Sequence, residues 1–289
     1  MSTPLAHFFG SRIFVINRAA RTDRWAHVKA MMAQLGITNY RRFEAHEPVE
    51  TFQGLPDGNH ACVSSHRDLL AACAINDWPN MLVLEDDFSV LPTTGGLTTQ
   101  GIFNRAAAEL PPDWDMLYLG GGYGSDPQYR HSRHLVRINT MMTTSSYAVT
   151  GAFARRLSRH IHGHGPIDSL LHAHTPTAQS YCITPRLFAQ WTSYSDLTNR
   201  ETDYTPSMTD PRHEEMLVEG DWVGSAPPMG DLLFRGPLMR QELAGPHDMD
   251  GTEVIVGREG RFRITKVSLL DHPAPWRYGE IITYHLQRE

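Results

Sequence analysis

The sequence predicts an α/β protein, a sheet covered by helices on both faces, with a small antiparallel β addition at its C-terminal end. Three observations carry this reading. Ile13-Phe14-Val15-Ile16 and Met81-Leu82-Val83-Leu84 are continuous apolar runs of strand length, as in strands buried on both faces. Between and after them, apolar residues recur at helical spacing: Trp25, Val28, Met32 and Leu35, then Leu69, Leu70, Cys73 and Ala74. From about Asn199 that spacing stops. Asn199 to Gly230 is polar without a clear period, and Thr252 to Val256, Phe262 to Leu270 and Glu280 to Leu286 are β-prone. Gly257-Arg258-Glu259-Gly260 joins the first two of these as a hairpin. The expected division is residues 1–200 as the α/β domain. Residues 201–289 form a polar connection and a β-rich extension packed on the same domain.

Taken in order, the first apolar run ends at Asn17-Arg18, and a polar turn carries Arg18, Arg21 and Arg24. Asp23 is placed to cap a helix that Gly36 stops. Strand, polar turn and helix open a nucleotide-binding α/β unit. With neither GxGxxG nor a Gly-Lys-Ser/Thr loop, it is neither a dinucleotide nor a P-loop site. A short strand follows near Tyr40 to Phe43, and Gly54 to His60 reads as loop. Ser64 or Ser65 is expected to cap the next helix, to about Ile75. That places His66 in its first turn, either as a donor to a phosphate or sugar or as a surface histidine at a helix start, the commoner case by residue type.

Ile102, Phe103, Ala106 and Leu110 mark a helix stopped by Pro111-Pro112. Trp114 to Leu119 is a core strand leading into the glycines of Gly120 to Gly124, either a segment that closes over a substrate or plain loop. Ser145 to Thr150 is a strand, with Phe153, Leu157 and Ile161 on the helix after it. His160, His162 and His164 fall on that helix's glycine-rich exit and are not read as a metal site. Pro166-Ile167-Asp168 opens a short helix, with Asp168 as its N-cap or as a reactive carboxylate. Tyr181 to Ile183 is a further strand. Ser193-Tyr194-Ser195-Asp196 is an Asx-type turn or a second site.

The chemistry concentrates in Glu85-Asp86-Asp87, three carboxylates at the end of a buried strand. Ligands of open α/β sheets bind outside the carboxyl ends of strands. In an extended chain Glu85 and Asp87 share one face and Asp86 the other. Adjacent anions repel, and a divalent cation relieves that cost; Mg²⁺ or Mn²⁺ bridging a substrate diphosphate suits the arrangement. The competing reading is a solvated acidic loop.

Composition sets the outer limits. The 289 residues carry a formal net charge of −6, with 40% hydrophobic and 20% charged residues, as in ordinary soluble globular proteins. Nucleic acid and anionic membrane surfaces are not expected partners. Cys62, Cys73 and Cys182 are too few and too separated for a disulfide framework or a zinc cluster, and a reducing compartment fits. The start lacks a signal-peptide pattern and no run approaches a membrane span. A cytoplasmic protein, peripheral at most to the inner membrane face, is expected.

The ordered set of stretches resembles glycosyltransferase family 25, which includes lipooligosaccharide galactosyltransferases and collagen hydroxylysine galactosyltransferases. The matching pieces begin with Ile13-Phe14-Val15-Ile16-Asn17-Arg18, Asp23-Arg24 and Cys62-Val63-Ser64-Ser65-His66. Leu84-Glu85-Asp86-Asp87, Trp114 to Gly120, and Tyr147-Ala148-Val149-Thr150 come next. Pro166-Ile167-Asp168, Pro185 with Gln190, and Ser195-Asp196-Leu197 complete the set. Ala61 before Cys62, and Glu44-Ala45-His46 in place of an Asp-Gly pair, depart from the family pattern, and the last third of the chain matches nothing in it.

The resemblance implies a GT-A-like mixed sheet, a UDP-sugar donor, Mn²⁺ or Mg²⁺ as cofactor, and inversion at the anomeric carbon. It implies Glu85 and Asp87 at the metal, and Asn17, Arg18, Arg24, Ser65, His66 and Asp86 around the donor. Asp168 is the first choice of base and Asp196 the second. The expected partners are a nucleotide sugar and a glycan, lipid-linked or peptide acceptor. The alternative is a degenerate member that binds a nucleotide sugar or a protein partner without transferring.

Overall fold

The computed structural model describes residues 2–50, 56–93, 97–122, 129–138, 141–161, 165–195, 200–203, 208, 221–226, 231–237, 253–256, 260–268 and 281–288. They fall into two compact units, Met1–Gly122 with Ser132–Thr209 and Tyr123–His131 with Asp210–Glu289. The helices are α1 (Pro4–Phe9), α2 (Thr22–Leu35), α3 (Gly58–Ile75), α4 (Thr99–Glu109), α5 (Gly151–Leu157) and α6 (Ile167–His172). The first strands are β1 (Ile13–Asn17), β2 (Arg41–Glu44), β3 (Val49–Glu50), β4 (Pro56–Asp57), β5 (Asn80–Glu85), β6 (Phe88–Val90) and β7 (Met116–Tyr118). After them come β8 (Tyr129–Arg130), β9 (Leu135–Arg137), β10 (Ser146–Thr150), β11 (Ser180–Ile183), β12 (Phe188–Gln190), β13 (Ser193–Ser195) and β14 (Arg200–Thr202). The last are β15 (Asp221–Ala226), β16 (Asp231–Pro237), β17 (Glu253–Val256), β18 (Gly260–Ser268) and β19 (Ile281–Arg288).

Within the first unit the main sheet runs β2-β1-β5-β10-β7-β11-β9. β1 is parallel to β2 and β5, and β7 to β11, whereas β10 is antiparallel to both β5 and β7. The sheet is therefore mixed. Alternation along the strands sorts the core into two layers. Ile13, Val15, Leu82, Leu84, Leu117 and Ala148 share one core cluster with Leu5 and Phe9 of α1, Val28 and Met32 of α2, and Phe103 of α4. Phe14, Val83 and Tyr147 point the other way, where Phe14 stacks on Trp78 and Tyr147 meets His66 of α3. Met81, Leu82, Val83 and Leu84 are each at most 1% exposed. Burying each such side chain is worth about 1.5–3 kcal/mol, so β5 is a rigid base for the acids that follow it.

The second unit contains a five-stranded antiparallel sheet in the order β15-β16-β19-β18-β17. β17, β18 and β19 lie on the three β-prone runs. The connecting residues 257–259 lie outside the described residues. Two strands lie inside the stretch read as polar and without a period, β14 and β15, and β16 directly follows it.

Other boundaries moved for identifiable reasons. α1 forms at a start that has no helical run, because Thr3 caps it through Oγ1 to Ala6 N and Pro4 occupies its first position. Asp23 lies inside α2 rather than capping it, and pairs with Arg21 at 2.9 Å. Gly36 ends α2 at φ 65°, as a C-terminal glycine does. Gly120 and Gly121 are buried and packed. A Cβ on Gly120 meets Phe188 O at 1.7 Å, so glycine is there for close backbone approach. Gly120→Ala should cost about 3 kcal/mol or more in urea unfolding. Gly165→Ala, where an added Cβ meets nothing within 4 Å, should stay within about 0.5 kcal/mol of wild type.

Candidate functional site

β1 and β5 are parallel neighbours in register, with Ile16 opposite Glu85, so their carboxyl ends emerge side by side. Asn17 thereby reaches the acidic turn, and its Nδ2 donates to Asp86 Oδ2 at 2.6 Å. β5 stops at Glu85, and Asp86 and Asp87 form a turn into β6. The alternation expected of an extended chain ends there, which corrects the pairing of Glu85 with Asp87. Asp86 and Asp87 instead face a common cation. Arg24 Nη1 lies 2.7 Å from Asp86 Oδ1 and 3.2 Å from Asp87 Oδ2. Its Nη2 donates to Ser193 Oγ and to Tyr194 O, each at 2.9 Å. β12 pairs with β6 so that Gln190 lies opposite Phe88, and Gln190 Nε2 donates to Asp87 Oδ2 at 2.9 Å. Asp87 Oδ1 is buried with no hydrogen-bond partner.

Glu85 belongs to the opposite layer. Thr144 Oγ1 donates to Glu85 Oε1 at 2.5 Å, and His66 Nε2 lies 3.4 Å from the same oxygen. The two acids are driven apart electrostatically. Burial and then the Glu85 charge push Asp87 up to about 7, against the pull of Arg24. Burial also raises Glu85, but the donors of His66 and Thr144 outweigh it and hold Glu85 below its ordinary value. Burial raises Asp86, opposed by Arg24 and Asn17. Asp168 is raised as well, by burial, although the backbone N–H of Ser169 donates to its Oδ1 at 2.7 Å.

Two clefts flank Glu85. The first is lined by Asn17, Arg18, Arg24, His46, Ser65, His66, Asp86 and Asp87. The second is lined by Asn59, Met142, Thr143, Thr144, Ser145, Ile167 and Asp168. Cys62, Glu85, Gln190 and Ser195 line both, so these four residues form a shared wall.

The structure thus brings Asn17, Arg18, Arg24, Ser65, His66, Glu85, Asp86 and Asp87 to one cleft, and Asp168 to its neighbour. Asp196 lies outside the described residues, as do His162 and His164. Ser65 and His66 are not at a helix start: α3 begins at Gly58, and both residues are fully buried within it. This corrects the helix-terminus argument for His66. Ser65 Oγ donates to Ala61 O at 2.8 Å and accepts His46 N–H at 2.9 Å, so the hydroxyl pins a loop instead of capping. Asp168 lies one residue inside α6 and does not cap it; Pro166 occupies the cap position. Arg18 pairs with Glu47 at 2.6 Å on the cleft rim.

Gln190 and Thr144 carry no site role in the sequence reading: Gln190 reaches Asp87 through the pairing of β12 with β6 and Thr144 reaches Glu85 from the residues before β10, contacts distant in sequence that no local pattern records. Ser193, in the stretch read as a turn or second site, accepts from Arg24. Among the described residues no group of three or more His, Cys, Asp and Glu side chains is arranged to hold a metal ion. No described helix is long and apolar enough to cross a membrane.

No protein-family model matches the chain, and no curated protein sequence matches it. Solved structures do match in part. A197 from STIV is 12% identical at a TM-score of 0.39, over 66% of this chain and 93% of that one. A point mutant of Drosophila β-1,4-galactosyltransferase 7, in complex with manganese, UDP-Gal and xylobiose, is 10% identical at 0.33, over 66% and 74%. A UDP-glucose pyrophosphorylase complexed with UDP-glucose is 8% identical at 0.30, over 60% and 67%. Scores this low carry no assignment of function.

The state of Asp87 has a measurable consequence. Its carboxyl titrates near 7 when folded and near 3.8 as a free side chain, so between those values the native state holds the extra proton. The contribution of Asp87 to stability therefore falls as pH rises from about 4 to 7 and levels off above. Asp87→Asn removes that dependence. It should melt a few degrees above wild type at pH 8 by calorimetry, with the difference closing toward pH 5. A constant difference across that range would contradict the assignment.

Proposed function

We propose that this chain is a metal-dependent inverting glycosyltransferase of GT-A type. It moves a hexose, galactose or glucose, from a UDP-sugar to a hydroxyl acceptor such as a glycan or lipooligosaccharide. The observation that carries the proposal is the pair of clefts sharing one wall, with the acidic turn in the first and Asp168 in the second. A transferase needs both: one place for a charged donor and one for an acceptor that meets it at a single point. The resemblance of the motifs to glycosyltransferase family 25 supports the same reading. All the residues involved fall within 1–200, with 201–289 proposed as a β-rich addition to this domain.

The donor set fits a divalent ion. Both side-chain contacts of Glu85 fall on Oε1, and Asp87 Oδ1 is buried without a partner. Both oxygens of Asp86 are committed, to Arg24 and to Asn17. Glu85 and Asp87 would therefore hold the ion and Asp86 would not, which is the division the sequence motif implied. Mg²⁺ characteristically takes one or two carboxylates together with substrate phosphates, so a third protein acid is not required. When bound, the ion supplies Lewis-acid stabilisation of the departing diphosphate.

The chain's own residues do the rest. Arg24 and Arg18 place positive charge beside the donor cleft. Asp168 takes the proton of the acceptor hydroxyl as its oxygen bonds to the anomeric carbon and the bond from that carbon to the diphosphate breaks. One displacement inverts the centre. Burial suits Asp168 to this task, because raising its basicity brings it nearer the working pH.

Calorimetric titration with UDP is the test of the donor site. Wild type should bind in the presence of Mn²⁺ and not in its absence, and Asp87→Ala should lose that binding while keeping its circular dichroism. Asp168→Asn should bind UDP as wild type does and lose at least about a hundredfold in transfer rate. Normal turnover by Asp168→Asn removes it as the base. Failure of wild type to bind UDP at all removes the donor site.

A further inference from the structure

His66 and Tyr147 form a buried pair behind the cleft that the proposed chemistry leaves unused. Both side chains are fully buried, and His66 Nδ1 lies 3.0 Å from Tyr147 Oη. The rings lie at 25°, with centroids 5.7 Å apart. On the other side of the imidazole, Nε2 is buried with no hydrogen-bond partner, and Glu85 Oε1 is 3.4 Å away. Thr144 donates to the same oxygen.

Only one arrangement of hydrogens satisfies this chain. If His66 carried hydrogen on Nδ1, it would donate to Tyr147 Oη, and the buried phenol hydrogen would have no acceptor among the described residues. A bare Nε2 would then face a carboxylate oxygen, lone pair against lone pair. Moving the hydrogen to Nε2 resolves both conflicts: Tyr147 donates to Nδ1, and the Nε2–H dipole lies beside Glu85 Oε1 at 3.4 Å, outside hydrogen-bond geometry. Burial keeps the phenol protonated, since it raises Tyr147 well above its ordinary value.

We infer that Tyr147 fixes His66 as its Nε2–H form, and that His66, together with Thr144, positions Glu85. Thr144 Oγ1 donates to Oε1 and the Nε2–H dipole of His66 lies beside the same oxygen, so the carboxylate is oriented and Oε2 is the oxygen presented to the cleft. His66 is then a positioning residue, not a ligand of the donor. This use of Oε2 rests on the transferase reading above; the hydrogen-bond chain itself does not. Groups that orient a metal-binding carboxylate commonly change metal affinity by about 10- to 100-fold when removed.

The experiment is site-resolved ¹⁵N NMR of histidine-labelled protein, without ligand, on wild type, Tyr147→Phe and Glu85→Ala. In wild type His66 should be protonated at Nε2 and bare at Nδ1. Tyr147→Phe should shift the hydrogen toward Nδ1, and Glu85→Ala should move the Nε2 resonance. Mn²⁺ titration by electron paramagnetic resonance, in the presence of UDP, should show Tyr147→Phe about 10- to 100-fold weaker than wild type.

Hydrogen on Nδ1 in wild type, alone or together with Nε2, overturns the inference. So does Mn²⁺ binding by Tyr147→Phe equal to that of wild type. Should wild type bind no Mn²⁺, the metal reading falls and the spectra alone decide the relay. The wild-type spectrum also decides it should Tyr147→Phe fail to fold.

Discussion

Arg24 is the residue on which the candidate site depends. Its guanidinium joins three pieces of chain that no strand pairing connects: its own helix α2, the acidic turn after β5, and β13. Its side chain is 12% exposed, and those of Asp86 and Asp87 are 9% and 6%. Two carboxylates cannot be buried at that depth without a partner, because desolvating an unpaired charge costs more than local packing returns. One guanidinium with a planar fork of donors serves both acids and still has Nη2 for β13, which a lysine ammonium does not reproduce. The compensation is incomplete, since two carboxylates share a single cation and Asp87 remains pushed up to about 7.

The sheet decides which acid receives which environment. Alternation holds as far as Glu85, which shares its face with Val83 and so meets the layer of Tyr147 and His66. The chain then turns, and Asp86 and Asp87 leave the strand geometry for Arg24, Asn17 and Gln190. Three consecutive residues of nearly identical chemistry therefore occupy two electrostatic settings. The antiparallel insertion of β10 between β5 and β7 matters here, because it brings Tyr147 opposite Val83 and Ser146 opposite Leu84. The preceding residues Thr144 and Ser145 are thereby carried to the strand end where Glu85 emerges.

Much of the frame was legible in the sequence because local physics decides it. β1 and β5 are short with continuous apolar centres, α2 has an apolar face and a terminal glycine, and β17 to β19 fall on β-prone runs. What failed to read through was decided by tertiary contacts. The serines at 64 and 65 look like helix caps in isolation, yet burial of Ala61 and Val63 extends α3 back to Gly58. The acids were legible as a cluster, but their separation was not, since it requires knowing that the strand stops at Glu85. Gln190 enters only through the pairing of β12 with β6, over a hundred residues from Asp87. Orientation and mixed order of the sheet followed from the resemblance of the motifs, not from the apolar runs themselves.

The divergence of Glu85 and Asp87 is itself an argument about chemistry. Enzymes that use two carboxylates for different tasks commonly hold them in environments that shift their proton affinities in opposite directions. Here donors on a single oxygen hold one member below its ordinary value, and burial pushes the other up to about 7. Asp87 Oδ2 is paired with Arg24 and Gln190, but Oδ1 is buried without a partner, a cost that an asparagine would reduce. A cation bound there, as the transferase proposal requires, would relieve both the desolvation and the mutual repulsion. On the transferase proposal, Asp87 Oδ1 and the second oxygen of Glu85 would be the protein's two ligands for the ion, set at the strand end where a charged substrate would supply the rest.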